Sequence, residues 1–241
     1  MIVLNYHELV DAAPSNAWCL TNDDFDAHLA LCGSRLISPQ AFLERCGDPG
    51  AGTADAVLLT FDDGFLSDYT HVYAGCMEAG RVPGFMSFVP TDFVGAPGRM
   101  TWEMIEELDR AGVVIGSHGK AHVDLTSVSD GELERELVVS KRMLEDRLGR
   151  AVPLFAFPYG RFSRRVWDAA LRASYTHLFT IQLGHHRGFE PFLYSRLCLT
   201  NTMDADYMRQ HLRDPDSGRG LAWRASTKFG LYRLMMRLRY R

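Results

Sequence analysis

Two groups of residues in this chain have the types and spacing to do chemistry: Asp62-Asp63 and His118-Gly-Lys-Ala-His122. The acids end the run Ala56-Val-Leu-Leu-Thr-Phe-Asp-Asp-Gly64, where Val57 to Phe61 predict a buried strand and Gly64 frees the backbone to turn. Carboxylates at the end of a buried strand are costly unless something pairs with them. A metal ion or a role as base would meet that cost, and so would capping the following helix. Two imidazoles four residues apart can reach one ion from a helical turn or a tight loop. Gly119 stands where a zincin carries Glu, so any base must come from elsewhere. Alone, such a pair is equally two unrelated surface or capping histidines. With the acids it becomes a catalytic zinc-type set, two His and one carboxylate with open positions, and the second Asp is left to take a proton.

Positioning these groups falls to a run of strands separated by mostly helical segments. Ile2–Tyr6, Val57–Phe61, Gly84–Val89, Val113–Ser117, Pro153–Phe157, His177–Ile181 and Leu193–Leu199 read as strands. Helices are expected from the capping pattern at Thr21, from Ser38-Pro39, from about Ser67 to Gly80, and from Thr101 to Ala111. Two more follow, from the capping box Ser129–Glu132 to Gly149 and from Ser163 to about Ala173. Gly47 to Gly52 reads as a surface loop. The pattern predicts a parallel α/β sheet, open or closed into a barrel, with ligands gathering at the C-terminal ends of the strands. His7, Asp62, Asp63, Asp92, His118, Tyr159 and His185 all fall at that end.

The 241 residues suffice for one large domain, and the net charge of −4 carries no nucleic-acid signature. Residues 201–241 hold nine Lys or Arg against four Asp. Five scattered Cys without a CxxC pair predict free thiols. The start reads as a strand and no run is long and apolar enough to span a bilayer, so a cytoplasmic setting is expected.

Thr60-Phe-Asp-Asp-Gly64, Ser117-His118-x-x-x-His122 and Phe155-Ala-Phe-Pro-Tyr-Gly160, in that order, resemble three motifs of the polysaccharide deacetylases with the NodB homology domain, carbohydrate esterase family 4. The resemblance covers residues 55–185 well and the ends more loosely. It implies a deformed (β/α)7-type barrel over 1–225, with 226–241 as a tail. It also implies Asp63, His118 and His122 as ligands of a divalent metal, Zn2+ by default with Co, Ni or Mn compatible, and Asp62 as general base. Tyr159, beside Pro158, would supply a backbone N–H to the oxyanion. The implied substrate is an N-acetylated glycan, as a poly- or oligosaccharide or a lipid-linked precursor.

The chain departs from the best-known pattern at two places. Ala156 stands where those members have an Arg supporting the catalytic Asp, and the last strand lacks their late His. It looks instead like a subgroup associated with exopolysaccharide synthesis, with Tyr-His near the N-terminus and Arg on the last strand. Arg196 is therefore the candidate partner of Asp62, against a surface Arg on an edge strand. His7 or His185-His186 are candidates for the general acid, against structural or exposed histidines. Asp124 is read as fixing its loop, and Trp102 and Phe93 as core or surface aromatics that could line a sugar groove. Residues 227–241 carry five cations and no acid, interleaved with apolar residues. That pattern suits an anionic membrane surface, or a helix packed on the domain. The rival functions are hydrolysis of a small non-sugar amide, or glycan binding without catalysis.

Overall fold

Parallel pairing carries the chain around the molecule in order. The computed structural model describes residues 1–46, 55–182 and 193–213, so the loop expected at 47–52, the pair His185-His186 and the tail 226–241 lie outside the described residues. Strand β1 (Ile2–Tyr6) pairs with β4 (Val57–Asp62), followed by β5 (Met86–Val89), β6 (Val114–Ser117), β7 (Leu154–Ala156) and β8 (His177–Thr180). The last pass was expected as one strand, Leu193–Leu199. It is broken at Arg196 into β9 (Leu193–Ser195) and β10 (Leu197–Cys198). β9 pairs with β8 and β10 with β1, so one segment joins both edges and the sheet curls into the expected barrel. The break puts the Arg196 side chain inside, fully buried.

A short parallel ribbon between β2 (Leu9–Val10) and β3 (Leu20–Thr21) has no periodicity long enough to read from sequence. Among the described residues no helix is long and apolar enough to cross a membrane.

Capping residues start the helices where the sequence places them. Thr21 and Ser129 form capping boxes for α1 (Asn22–Cys32) and α4 (Asp130–Leu148), and Gly149 ends α4 in the left-handed conformation. Thr101 and Ser163 cap α3 (Trp102–Arg110) and α5 (Arg164–Arg172). The helix expected from Ser67 is instead a π-helix, Asp68–Met77. It buries Asp68, Val72 and Cys76, a constant spacing of four that a wider turn keeps on one face. A further helix, α6 (Ala205–Arg213), follows the barrel.

Alternation along the strands sorts the side chains into layers. Val3, Leu58, Met86, Phe88, Val114, Leu154, Ala156 and Phe179 pack together as one cluster. Phe42 of α2 (Pro39–Cys46) joins that cluster near the strands' starts. The opposite faces, such as Leu4, Tyr6, Leu59 and Phe61, pack with α1, α3 and the π-helix. Gly116 is required here: a Cβ on it would lie 2.5 Å from the Phe88 ring.

Candidate active site

Inside the barrel, the register that sets Asn5 beside Thr60 and Cys198 gathers polar groups where an apolar core would otherwise continue. Arg196 Nη1 and Nη2 donate to Asp62 Oδ1 and Oδ2, each at 2.7 Å. This is the fork-to-fork pairing that a planar guanidinium makes with a carboxylate. Nη1 also donates to Asn5 Oδ1 at 2.8 Å, and Asn5 Nδ2 donates to Asp62 Oδ2 at 3.1 Å. Thr60 Oγ1 donates to Leu4 O and reaches Asn5 Oδ1 at 3.1 Å. The guanidinium lies 5.1 Å from the Phe88 ring centre and 5.9 Å from that of Phe179. Asp62 is 3% exposed, and burial alone would raise its pKa. Arg196 and His118 more than offset burial and hold the carboxyl well below the usual range. Arg196 is thus buried and paired with Asp62, and is not a surface residue on an edge strand.

Asp63 takes a different course one residue later. Its backbone turns to φ 75°, Gly64 follows at 60°, and its N–H donates to Phe88 O at 3.0 Å. This aims Asp63 Oδ1 at His118 Nε2, 3.6 Å away, and His122 Nε2, 3.2 Å away. Oδ1 is buried and has no hydrogen-bond partner. The ligand-capable atoms of Asp63, His118 and His122 all lie within 4.8 Å of one another.

The two histidines are set by different devices. His118 follows β6 and its Nδ1 lies 2.8 Å from Ala156 O, so Nδ1 carries the proton and Nε2 is left with its lone pair toward Asp63. Burial lowers its pKa to about 4, against the pull of Asp62. A neutral imidazole with a free Nε2 is the form that ligates a metal. His122 sits at φ 54° on a loop held from below by Glu136 of α4. Glu136 accepts the N–H groups of Lys120 at 2.8 Å and Ala121 at 2.9 Å. Ser140 of the same helix reaches Ser117 at 3.0 Å.

The third motif presses on the second. Tyr159, at φ 58° and 50% exposed, has its ring centre 4.7 Å from that of His122, and its hydroxyl donates to His122 O. Pro158 is buried beneath it. Among the described residues four non-glycine residues have positive φ, and three of them, Asp63, His122 and Tyr159, meet here. Such backbone costs about 1–3 kcal/mol per residue and collects at functional sites.

His7 lies just past β1. Its Nδ1 is buried without a hydrogen-bond partner, and its ring centre lies 5.4 Å from that of Trp18. Burial lowers its pKa, opposed by Asp63 and Asp62.

Other candidates fall outside this cluster. Asp124 fixes its own loop by accepting from Thr126 and Arg161. Phe93 lies 5.8 Å from His122, whereas Trp102 packs on the core with Arg147 over its ring. Asp26, His71 and Cys76 form a second group with ligand-capable atoms. Arg81 already stands there, 2.7 Å from Asp26 Oδ1 and 3.3 Å from Cys76 Sγ, and supplies the cation itself.

Sequence reasoning missed Asn5, Glu136 and Asp68. Each left a signal: a polar residue amid the apolar strand β1, and two acids on core-facing helix stripes. Asp68, which pairs with Ser87, has its pKa raised well above the usual range by burial.

A family model described as polysaccharide deacetylase matches residues 50–178. YxkH of Bacillus subtilis (strain 168), which bears a polysaccharide-deacetylase name, is 22% identical over 176 residues, 72% of this chain. The chain spans 61% of the length of YxkH. The fold is similar to that of the Streptococcus pyogenes deacetylase PplD, with a TM-score of 0.76, 21% identity, and coverage of 88% of this chain and 97% of PplD. It is also similar to a de-N-acetylase from Aggregatibacter actinomycetemcomitans, with a TM-score of 0.71, 18% identity, and coverage of 87% and 98%.

Proposed function

The chain belongs to the polysaccharide deacetylase family, and from that premise we propose that it is a metal-dependent hydrolase removing N-acetyl groups from an amino sugar of a poly- or oligosaccharide or lipid-linked glycan. The observation that carries the reading is the orphaned, buried Asp63 Oδ1 facing two imidazole Nε2 atoms, one residue from an Asp62 held ionised by Arg196. The name of the Aggregatibacter protein supports the N-acetyl class. A substrate from exopolysaccharide synthesis fits the Tyr6-His7 and Arg196 signature.

Asp63, His118 and His122 would hold the ion, with Zn2+ preferred by the donor set and Co, Ni or Mn compatible. Bound there, it would polarise the acetyl carbonyl and lower the pKa of a water toward about 7. Asp62 takes a proton from the attacking water, whose oxygen adds to the acetyl carbon. A backbone N–H at Tyr159 is the proposed donor to the oxyanion. As the C–N bond breaks, acetate leaves and the amine nitrogen must gain a proton. His7 is the proposed donor, since the charges of Asp63 and Asp62 both act on its imidazole and its Nδ1 is uncommitted.

The test is acetate release from N-acetylglucosamine oligomers by the zinc-loaded protein. Turnover should vanish with a chelator and return with Zn2+. Release from small amides but not from sugars would favour the rival amidase. Stoichiometric glycan binding without release would favour a binding protein. His7→Gln is expected to lower kcat by about 10²-fold or more at unchanged metal content, the scale of a lost general acid. Wild-type turnover in that variant would move the role elsewhere, with His185-His186 next in line.

A further inference from the structure

We propose that Arg99 is a positioning residue that locks the backbone of Asp63 and thereby sets the affinity of the site for its metal ion. The inference rests on the metal-site reading above.

Asp63 can point at His118 and His122 only because its backbone is left-handed, a conformation that L-residues disfavour and that Asp tolerates better than most. Something must hold it there in the metal-free chain. The peptide before Asp63 is fastened by its N–H to Phe88 O of β5. The peptide after it is fastened by Arg99, whose Nη1 donates to Asp63 O at 2.8 Å. The neighbouring backbone bonds, Met100 N–H to Gly64 O and Leu66 N–H to Gly98 O, flank that carbonyl without addressing it.

Arg99 is itself held. Its guanidinium carbon lies 3.6 Å from the ring centre of Phe65 and 4.9 Å from that of Phe93. Phe93 in turn neighbours His122. Burial lowers the Arg99 pKa, opposed by Asp63, Glu8 and Asp68, and among the described residues its guanidinium forms no ion pair. Its charge is directed at the carbonyl of a ligand residue. A planar, pre-organised donor between two rings suits that task better than a flexible ammonium. Without it, Asp63 samples other conformations, and the apparent affinity falls by the fraction of time the competent one is lost.

The experiment is calorimetric titration of the metal-free full chain with Zn2+, and with Co2+ followed by its visible absorption, for wild type and Arg99→Met. The Met stem can keep the contact with the phenyl rings but cannot donate. Wild type should take up one ion, and Arg99→Met should bind about tenfold or more weakly, with an altered Co2+ spectrum, while the metal-free melting temperature stays within a few degrees. If the Met variant fails to fold, Arg99→Gln, too short to reach the carbonyl, carries the same expectation. A folded variant that binds Zn2+ as tightly as wild type overturns the role of Arg99 alone. A wild-type chain that takes up no ion overturns the metal-site reading beneath it.

Discussion

Asp62→Asn is expected to lower kcat for deacetylation by about 10³-fold, within the range of a lost general base, while the protein still takes up its metal ion. The substitution leaves Asp63, His118 and His122 in place and removes only the proton acceptor beside them. A carboxylate held well below its usual pKa is a weak base, which at first counts against the role. The compensation is that the same Arg196 pairing keeps it ionised at every working pH, so the acceptor is never lost to protonation. The required acidity must then come from the water, and lowering that pKa is what an ion on the neighbouring trio would do. The amide also leaves Arg196 without its charge partner, so stability falls, and turnover should be read on protein verified as folded and loaded. A kcat within about tenfold of wild type at full occupancy would place the base elsewhere.

How much of this was legible beforehand depended on the range of each interaction. Caps at Thr21, Thr101, Ser129 and Ser163 are local, and so are the strand Val57–Asp62 and its Asp-Asp-Gly end. All were readable from a few residues. The barrel followed from the strand and helix alternation and from the three motifs. Glu136 was not found because its bonds to the His118–His122 loop span a loop and about two helical turns, with no local pattern to mark them. Arg196 was reached only by noticing that Ala156 leaves a position empty. Its partners Asn5 and Asp62 lie 191 and 134 residues away, a distance that only barrel closure removes. The break between β9 and β10 is invisible in Leu193–Leu199 because distant partners set it: Arg196 N–H still donates to Thr180 O of β8, whereas Leu197 and Cys198 already pair with β1.

Arg196→Met is expected to produce the largest loss of stability, about 3–5 kcal/mol near neutral pH, because it leaves a buried carboxylate without its cation. A metal-free chain should be used, so that added charge does not mask the effect. In wild type the folded-state pKa of Asp62 is depressed, so its contribution is present above the unfolded value of about 3.9 and is lost as pH falls below it. In the variant the largest remaining influence is burial, which raises the folded-state pKa above the unfolded one. The sign then reverses: the ionised form opposes folding, and acidification through the raised pKa relieves the penalty. The gap between wild type and variant, measured by urea unfolding from pH 7 down to about 4, should therefore narrow toward acid. Asp62→Asn in the Arg196→Met background should recover much of the loss, since the double variant leaves neither charge unpaired, giving a coupling energy well above the ~0.5 kcal/mol of independent sites. A gap constant across that pH range, with additive single variants, would mean that Arg196 serves the fold by filling space between Phe88 and Phe179 and not by holding Asp62 ionised.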